Sequence, residues 1–589
     1  MEKKIDLGMS YDRITDLPEP LKHHILSFLP TKYAVQTSIL SSSWRMVWAG
    51  LRTLDFSDTY PNKSLIVEES SCYHRDIALK TNGETIVRMR EDFYNFLDRA
   101  FGLVMELEEL KLYVPNFGPE LGYRVDHWLA CAVGCSVKYL KFKIAKWEGF
   151  RYILPGCVLG ANSIVKLELN NCELNLSSFM CTQLPSLREL WFDDVFLDEV
   201  VMKIIFGICI NLESFYLRNC RGLTRLEISN LTPKLQMVDV VLQEVDLEVI
   251  KISLPSLLDF SYWYDGCLSQ QFCEIDVSGC KNLESLYLNC VQLDDHDLSF
   301  YLENLPVLKQ LCLTNCPYLE YVEISSERLA HLAIDSCRGL VKVKIHTPNL
   351  KSFTYWGENV ISLVSKGPAL KLEYAIVGVT GGFQTEKWYL GLVKLIAKFS
   401  HTEDFSLRLA TIQDAVIPEN VRLKSLPPLY GVKEMMVEIR VSAIHDYNFT
   451  RLKHTPVDLV KCLMWLAPCS ETLRICNFDD GIEKLFKFTY EKPLKGKKKC
   501  GCWNSLAINC WRHSLTNVSL EYEKGDEDDT QLAEFFRNAR IDGKMVDFVK
   551  TTGPEMKYRW IQSLKLLGLV EPKPALSCEE LRLVHTVQF

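Results

Sequence analysis

A chain of 589 residues with 24% charged side chains and a formal net charge of −8 has no basic stripe, which excludes a general nucleic-acid binder. At roughly 100–200 residues per domain, its length implies several domains or one repeat array with attachments. The 22 cysteines are scattered through apolar stretches of a long chain, the usage of reduced thiols rather than of a disulfide-stapled secreted fold.

No apolar stretch follows Met1 to Asp6, and the best apolar run, Val200 to Ile210, is broken by Lys203. It is shorter than the roughly 18 residues of a membrane span. The expectation is a soluble intracellular protein, nuclear or cytoplasmic, with no membrane or nucleic-acid partner.

Residues 12–48 predict three short helices. Leu17, Leu21, Ile25 and Leu29 recur every four residues beside Ile14, Leu26 and Phe28, one apolar stripe on a helix. Pro18 and Pro20 suit its first turn and Pro30 stops it. Thr31 is placed to cap a second helix with Ala34, Val35, Ile39 and Leu40, and Ser41 or Ser42 a third bearing Trp44 and Trp48. So small a unit buries too little to stand alone unless a partner covers its remaining apolar face.

These residues resemble the F-box, through Leu17-Pro18, the run Ile25 to Lys32, Ala34-Val35, Thr37-Ser38, Leu40 and the pair Trp44-Arg45 with Trp48. The resemblance implies an insert for the Skp-type adaptor of a cullin-RING ubiquitin ligase. Its adaptor contacts would be Leu17, Pro18, Leu21, Ile25, Leu26, Leu29, Val35, Trp44 and Trp48. Ser41-Ser42-Ser43 departs from the pattern, since relatives usually carry a basic residue there.

Residues 51–150 read as a cap with irregular first repeats. Leu51 to Phe56 alternates as a strand, 57–90 is unpatterned, and helix-then-strand patterns follow at 92–114 and 125–144. Over 151–356 the pattern Leu-x-x-Leu-x-Leu recurs about every 21–25 residues, the period of a leucine-rich repeat that lends one strand per coil to a parallel sheet. It runs through Leu167 and Leu169, Leu190 and Phe192, Phe215 and Leu217, Leu286 and Leu288, Leu311 and Leu313, and Leu332 and Ile334. Leu-Pro-x-Leu turns enter the strands at 184–187, 254–257 and 305–308. Half-period echoes at Leu226 and Ile228, Val322 and Ile324, and Val343 and Ile345 predict a second short strand on the far side of several coils. Cys172, Cys220, Cys316 and Cys337 mark the exit from the strand, where they predict packed thiols rather than a converging metal site.

The two-residue period turns the residues between the repeat leucines outward. That set is Lys166, Glu168, Asn170; Glu189, Trp191, Asp193; Ser214, Tyr216, Arg218; Ser285, Tyr287, Asn289; and Gln310, Cys312, Thr314. Trp191, Tyr216 and Tyr287 hold equivalent places and, with Arg218 and Gln310, are the candidate substrate-binding residues.

Residues 357–475 read as degenerate repeats, with a helix over Glu386 to Phe399 and another over Pro456 to Leu466. The glycines at 378–382 lack a phosphate-loop pattern. Lys492 to Lys499 predicts an exposed loop. The strand-helix-strand pattern of 500–550 resembles the FBD domain, and with it the whole chain resembles the plant F-box/FBD/LRR-repeat family. Residues 551–589 form an extension of unknown role. Cys500, Cys502, Cys510 and His513 are spaced too thinly for a zinc framework, and packing explains them better, so no metal and no cofactor is expected.

The fold class is therefore α/β: a small three-helix F-box, a leucine-rich-repeat solenoid with a parallel sheet, and a C-terminal FBD-like strand-helix-strand unit. No catalytic signature occurs. The expected role is the non-catalytic substrate-recognition subunit of an SCF-type ligase, joined through the adaptor to cullin and RING subunits and binding a protein substrate. The alternatives are a small-ligand-sensing F-box receptor, disfavoured by the lack of a basic column for a polyanion, and a repeat-based interaction protein outside any ligase.

Overall fold

The computed structural model describes residues 14–56, 91–477, 482–491, 511–522 and 529–552, excepting 105, 115–117, 146–150, 180–183, 230, 244–246, 265–272, 366–369, 371, 382–384 and 440–454. The loop at 492–499, Cys500, Cys502, Cys510 and the extension after 552 lie outside the described residues. The chain divides into two compact units, Met1–Leu283 and Glu284–Phe589.

In the first unit, Pro18 precedes the helix Glu19–Ser27, with Pro20 in its first turn. A second helix, Thr31–Gln36, tightens into a 3-10 turn at Thr37–Ile39. Thr31 is not its cap, because Pro30 holds that position; the Thr31 hydroxyl instead accepts from the Asp55 amide at 2.7 Å and ties the helix to the following strand. The expected third helix is absent. Residues 41–50 turn through i→i−3 bonds, Trp44 N to Ser41 O and Val47 N to Trp44 O, and end in a 3-10 turn at Val47–Gly50. Three successive serines, which compete for backbone groups, and an indole bonded thirty residues away favour that tighter path.

Eight parallel strands follow: Thr53–Phe56, Glu109–Val114, Tyr139–Ile144, Lys166–Asn170, Glu189–Asp193, Ser214–Arg218, Met237–Leu242 and Asp259–Tyr264. Register stacks the repeat leucines into buried columns, one of which runs Leu54, Leu110, Leu140, Leu167, Leu190, Phe215, Val238 and Phe260. Helices 91–101, Gly122–Gly134 and Glu199–Ile208 fill the connections. Arg124 fixes the first pair, reaching Asp98 at 2.6 Å and Glu91 at 3.3 Å. The half-period echo at 226 belongs to a second parallel sheet, Arg225–Ile228, Val249–Ile252 and Glu274–Asp276.

The second unit continues the same logic with eight parallel strands, Ser285–Asn289, Gln310–Thr314, His331–Asp335, Ser352–Gly357, Tyr374–Val379, Asp404–Leu409, Glu434–Ile439 and Thr472–Asn477. Its echoes form the sheet Tyr321–Ser325, Lys342–His346 and Ser362–Ser365. The helix Pro456–Leu466 begins at a capping box of Thr455 and Asp458 with proline in the first turn. The strand-helix-strand expectation at the C-terminal end corresponds to Leu515–Tyr522, Thr530–Arg537 and Asp547–Thr552. An unforeseen strand, Ile482–Tyr490, joins them antiparallel to Thr472–Asn477. Phe486, Phe488 and Phe536 are buried there with the half-buried Phe548 stacked on Phe536, and Asp529 is clamped by Lys484 at 3.2 Å and Lys550 at 2.9 Å.

Six coils leave their strands by the same device. Asn171, Asp194 and Asn219 in the first unit, and Cys290, Asn315 and Ser336 in the second, take left-handed φ of 49° to 57°. Each sends its N–H to a carbonyl of the next strand, as Asn315 does to Asp335 at 2.9 Å. The residue after the turn drops into the coil, which is where Cys172, Cys220, Cys316 and Cys337 are buried. Burial pushes the Cys172 thiol up to about 12. These buried side chains fill space inside the coils, and no group of three or more metal-ligating side chains converges among the described residues.

A β-branched side chain tolerates left-handed backbone poorly. Asn315→Val is expected to cost about 1–2 kcal/mol, read as a lower urea midpoint, whereas Asn315→Gly is expected to be nearly neutral.

Candidate functional site

Two surfaces carry the chemistry of recognition. The first lies on the N-terminal helices. Of 27 large hydrophobic side chains exposed among the described residues, nine fall between 14 and 46: Ile14, Leu21, Ile25, Phe28, Leu29, Tyr33, Ile39, Leu40 and Met46. Phe28 is 74% exposed and Ile39 88%. Scattered exposed apolar residues are ordinary, but so dense a run marks a surface awaiting a partner.

Three of the nine expected adaptor residues are corrected by their placement. Leu26 (0% exposed), Trp44 (2%) and Trp48 (5%) are buried and present no face to another chain. The Trp44 indole donates to the Ile14 carbonyl at 3.1 Å, while Lys22, itself buried, donates to the Thr15 carbonyl at 2.8 Å and to the Ser43 hydroxyl at 2.9 Å over the Trp44 ring. The serines that depart from the family pattern therefore have an internal task. Trp48 packs on Phe96 of the helix 91–101. Leu21, Ile25, Leu29 and Pro18 are exposed, and Leu17 and Val35 half-buried. The missed members of the face are Phe28, already read beside the Leu17 to Leu29 stripe, and Tyr33, Ile39 and Leu40, whose signal was that they are apolar without belonging to it.

The second surface is the outward face of the main strands. In the first unit, Trp191 stacks on Tyr216 with centroids 3.4 Å apart and planes 11° from parallel. Lys166 and Arg218 sit over the indole at 5.2 and 5.4 Å. Tyr216 is a second correction: its ring is covered by Trp191, its hydroxyl contacts Met237, and it is only 6% exposed. Arg218 is exposed and Trp191 half-buried. In the second unit, Tyr287 and Gln310 are half-buried and bonded to each other. Ser285, Asn289, Cys312 and Thr314, outward by register, are buried. Three lysines of the first unit's face are already paired, Lys111 with Glu109 at 2.9 Å, Lys141 with Glu168 at 2.8 Å and Lys166 with Glu189 at 2.9 Å.

Glu168 is a pH-sensitive member of that face. Burial opposes its charge, but donation from Lys141 and Tyr139, together with the nearby Lys166, outweighs burial and lowers its pKa. A carboxylate with a depressed folded pKa stabilises above its unfolded value, about 4.3, and that contribution is lost as pH falls through the folded value. Glu168→Gln is thus expected to lose less stability than the parent between pH 6 and pH 3 in urea titrations.

Among the described residues, no helix is long and apolar enough to cross a membrane. The F-box domain family matches residues 14–55, and the family described as At1g61320/AtMIF1, LRR domain matches 103–275 and 267–377. The F-box/LRR-repeat protein At3g58940 of Arabidopsis thaliana is 27% identical over 369 residues, covering 55% of this chain and 56% of that one. The F-box/LRR-repeat protein At3g59200 of the same plant is 32% identical over 219 residues, 36% of this chain and 37% of its own length. The FBD-associated F-box protein At4g10400, also from Arabidopsis thaliana, is 26% identical over 464 residues, 73% and 97% of the two chains. The matches to the two F-box/LRR-repeat proteins thus span little more than half of one and about a third of the other. With an F-box match at 14–55 and leucine-rich-repeat matches over 103–377, the chain carries both domains and is similar to the F-box/LRR-repeat and FBD-associated F-box proteins of Arabidopsis thaliana.

Proposed function

We propose that this chain is the substrate-recognition subunit of an SCF-type cullin-RING ubiquitin ligase. The observation that carries the reading is the dense exposed apolar run of residues 14–46, lying inside the F-box match. A Skp-type adaptor would cover it through Leu17, Pro18, Leu21, Ile25, Leu29 and Val35, with Phe28, Ile39 and Leu40 added. The repeat sheets would hold a protein substrate through Trp191, Arg218, Tyr287 and Gln310.

The mechanism is proximity. Tethering raises the effective concentration of substrate lysines near a charged ubiquitin carrier supplied by other subunits, so this chain needs no catalytic group of its own. The working division is an F-box at 12–48, a cap at 51–150, repeats at 151–356, degenerate repeats at 357–475, an FBD-like unit at 500–550 and an extension beyond, in an intracellular protein. Pairing of Lys111, Lys141 and Lys166 with carboxylates offsets charge that a polyanionic small ligand would need on that face and favours the protein-substrate reading over the sensor.

The test is reconstitution. Full chain mixed with a Skp-type adaptor, cullin and RING subunits should co-purify as a stoichiometric complex that transfers ubiquitin to a captured protein. Failure to capture the adaptor at micromolar concentrations would leave only a repeat-based interaction protein.

A further inference from the structure

The outward faces of the two units differ in kind. On the eight main strands of the first unit, 12 of the 23 outward positions between Thr53 and Trp263 are Asp, Glu, Lys or Arg. On the first five strands of the second unit, Ser285 to Val379, only Asp335 among 15 outward positions is. His331 adds no charge at neutral pH, because burial, with help from Lys351, holds it below its ordinary value. In a chain that is 24% charged, this surface has the charge-depleted composition of an interface centre.

The same surface is hollowed. Cys312, Ala333 and Thr354 are neighbours in register, and each is 9% exposed or less although it points outward. Their small side chains form the floor of a depression walled by Tyr287, Gln310, His331, Ser352 and Tyr374. Three to four strands at about 4.8 Å make a floor of roughly 10–15 Å, the length of three or four extended residues at about 3.3 Å each. His331 Nδ1 lies 2.8 Å from the Ser352 hydroxyl, and Tyr287 donates to the Gln310 carbonyl oxygen. That leaves the Gln310 amide nitrogen and the second ring nitrogen of His331 with no partner among the described residues.

We propose that this trough binds a short, extended, uncharged segment of a partner protein. Its small or apolar side chains would lie on Cys312, Ala333 and Thr354, and its backbone would bond to Gln310 and His331. Absence of free charge selects the occupant: the charges acting on His331, Lys351 and Glu373, are already paired with each other at 3.2 Å and exposed, and Asp335 stands at the edge, so a carboxylate or an ammonium buried on the floor would lose its water without adequate return. The depression is too shallow to enclose a drug-sized ligand, which favours a peptide that needs cover on one side only. The substrate-receptor reading above enters only in making this partner a ligase substrate.

Panning a displayed library of random heptapeptides on the full chain tests it. Expected are enriched sequences with at least four consecutive uncharged residues, whose binding falls tenfold or more on Ala333→Arg and on Thr354→Lys but is unchanged on Leu423→Ala, an exposed position of the helix Glu419–Lys424. Thermal melts of the variants identify any misfolding, and the conservative Gln310→Ala is expected to weaken binding severalfold in a chain with an unaltered melt. No enrichment, enrichment of charged sequences, binding insensitive to all three trough substitutions, or displacement only by small molecules would overturn the proposal. Adaptor capture, measured on the same preparations, is independent: its loss with peptide binding retained sinks the ligase reading alone, and the reverse result sinks the trough alone.

Discussion

Replacing Ile25 and Phe28 together by glutamate is expected to weaken capture of a Skp-type adaptor at least a hundredfold, with thermal unfolding unchanged. Both side chains are solvent-exposed, Ile25 at 42% and Phe28 at 74%, so charge there disturbs no internal packing. In a complex the same positions would become the apolar centre of an interface, where two carboxylates must be stripped of water without cations to receive them. A hundredfold loss is about 2.7 kcal/mol, well within the cost of burying two unpaired charges. Titration of adaptor into parent and variant chains reads the effect; equal affinity would mean that this face is not the docking surface.

The second large effect acts from the inside. Trp44→Ala is expected to destabilise residues 14–50 by about 3–5 kcal/mol, as large aromatic truncations in packed cores do. The indole fills the middle of the N-terminal module, bonds the Ile14 carbonyl and offers its face to Lys22, so its loss leaves a cavity, an unpaired carbonyl and a loosened buried cation. Amide exchange over 14–50 should accelerate sharply while exchange over 139–260 stays as it was. Adaptor binding would fall as well, but for a different reason from the Ile25 and Phe28 pair, and exchange separates the two. Unaltered exchange over 14–50 would show that Trp44 does not hold the module together.

Much of this architecture was legible because repeat physics is local. A strand every 21–25 residues follows from alternation that can be counted, and the half-period echoes at 226, 322 and 343 mark strands of the smaller sheets. The helix expected over Pro456 to Leu466 forms with those bounds, opened by the capping box of Thr455 and Asp458. What was not legible depended on distant partners. Trp44 and Trp48 sit at helical spacing, yet their backbone follows a tighter path in which Trp44 reaches Ile14 and Trp48 reaches Phe96. The same non-local packing turned Leu26 inward, so the exposed apolar face of residues 14–46 holds fewer of the expected residues and includes Phe28, Ile39 and Leu40 instead.

The outward faces teach a related lesson. A two-residue period tells which way a side chain points but not what will cover it. Tyr216 points outward and is hidden under Trp191; Cys312 points outward and lies at the bottom of a trough. The strand Ile482–Tyr490 had a usable signal in Phe486 and Phe488 flanked by lysines, but its antiparallel place beside Thr472–Asn477 departs from the parallel rule of the array.

Hydrogen exchange of the full chain, with and without a Skp-type adaptor, puts the central claim to its most direct test. Slowed exchange confined to residues 14–46, strongest around Ile25 to Leu40, is the predicted result. Protection that falls on the repeat strands instead, or no protection at saturating adaptor, would contradict it.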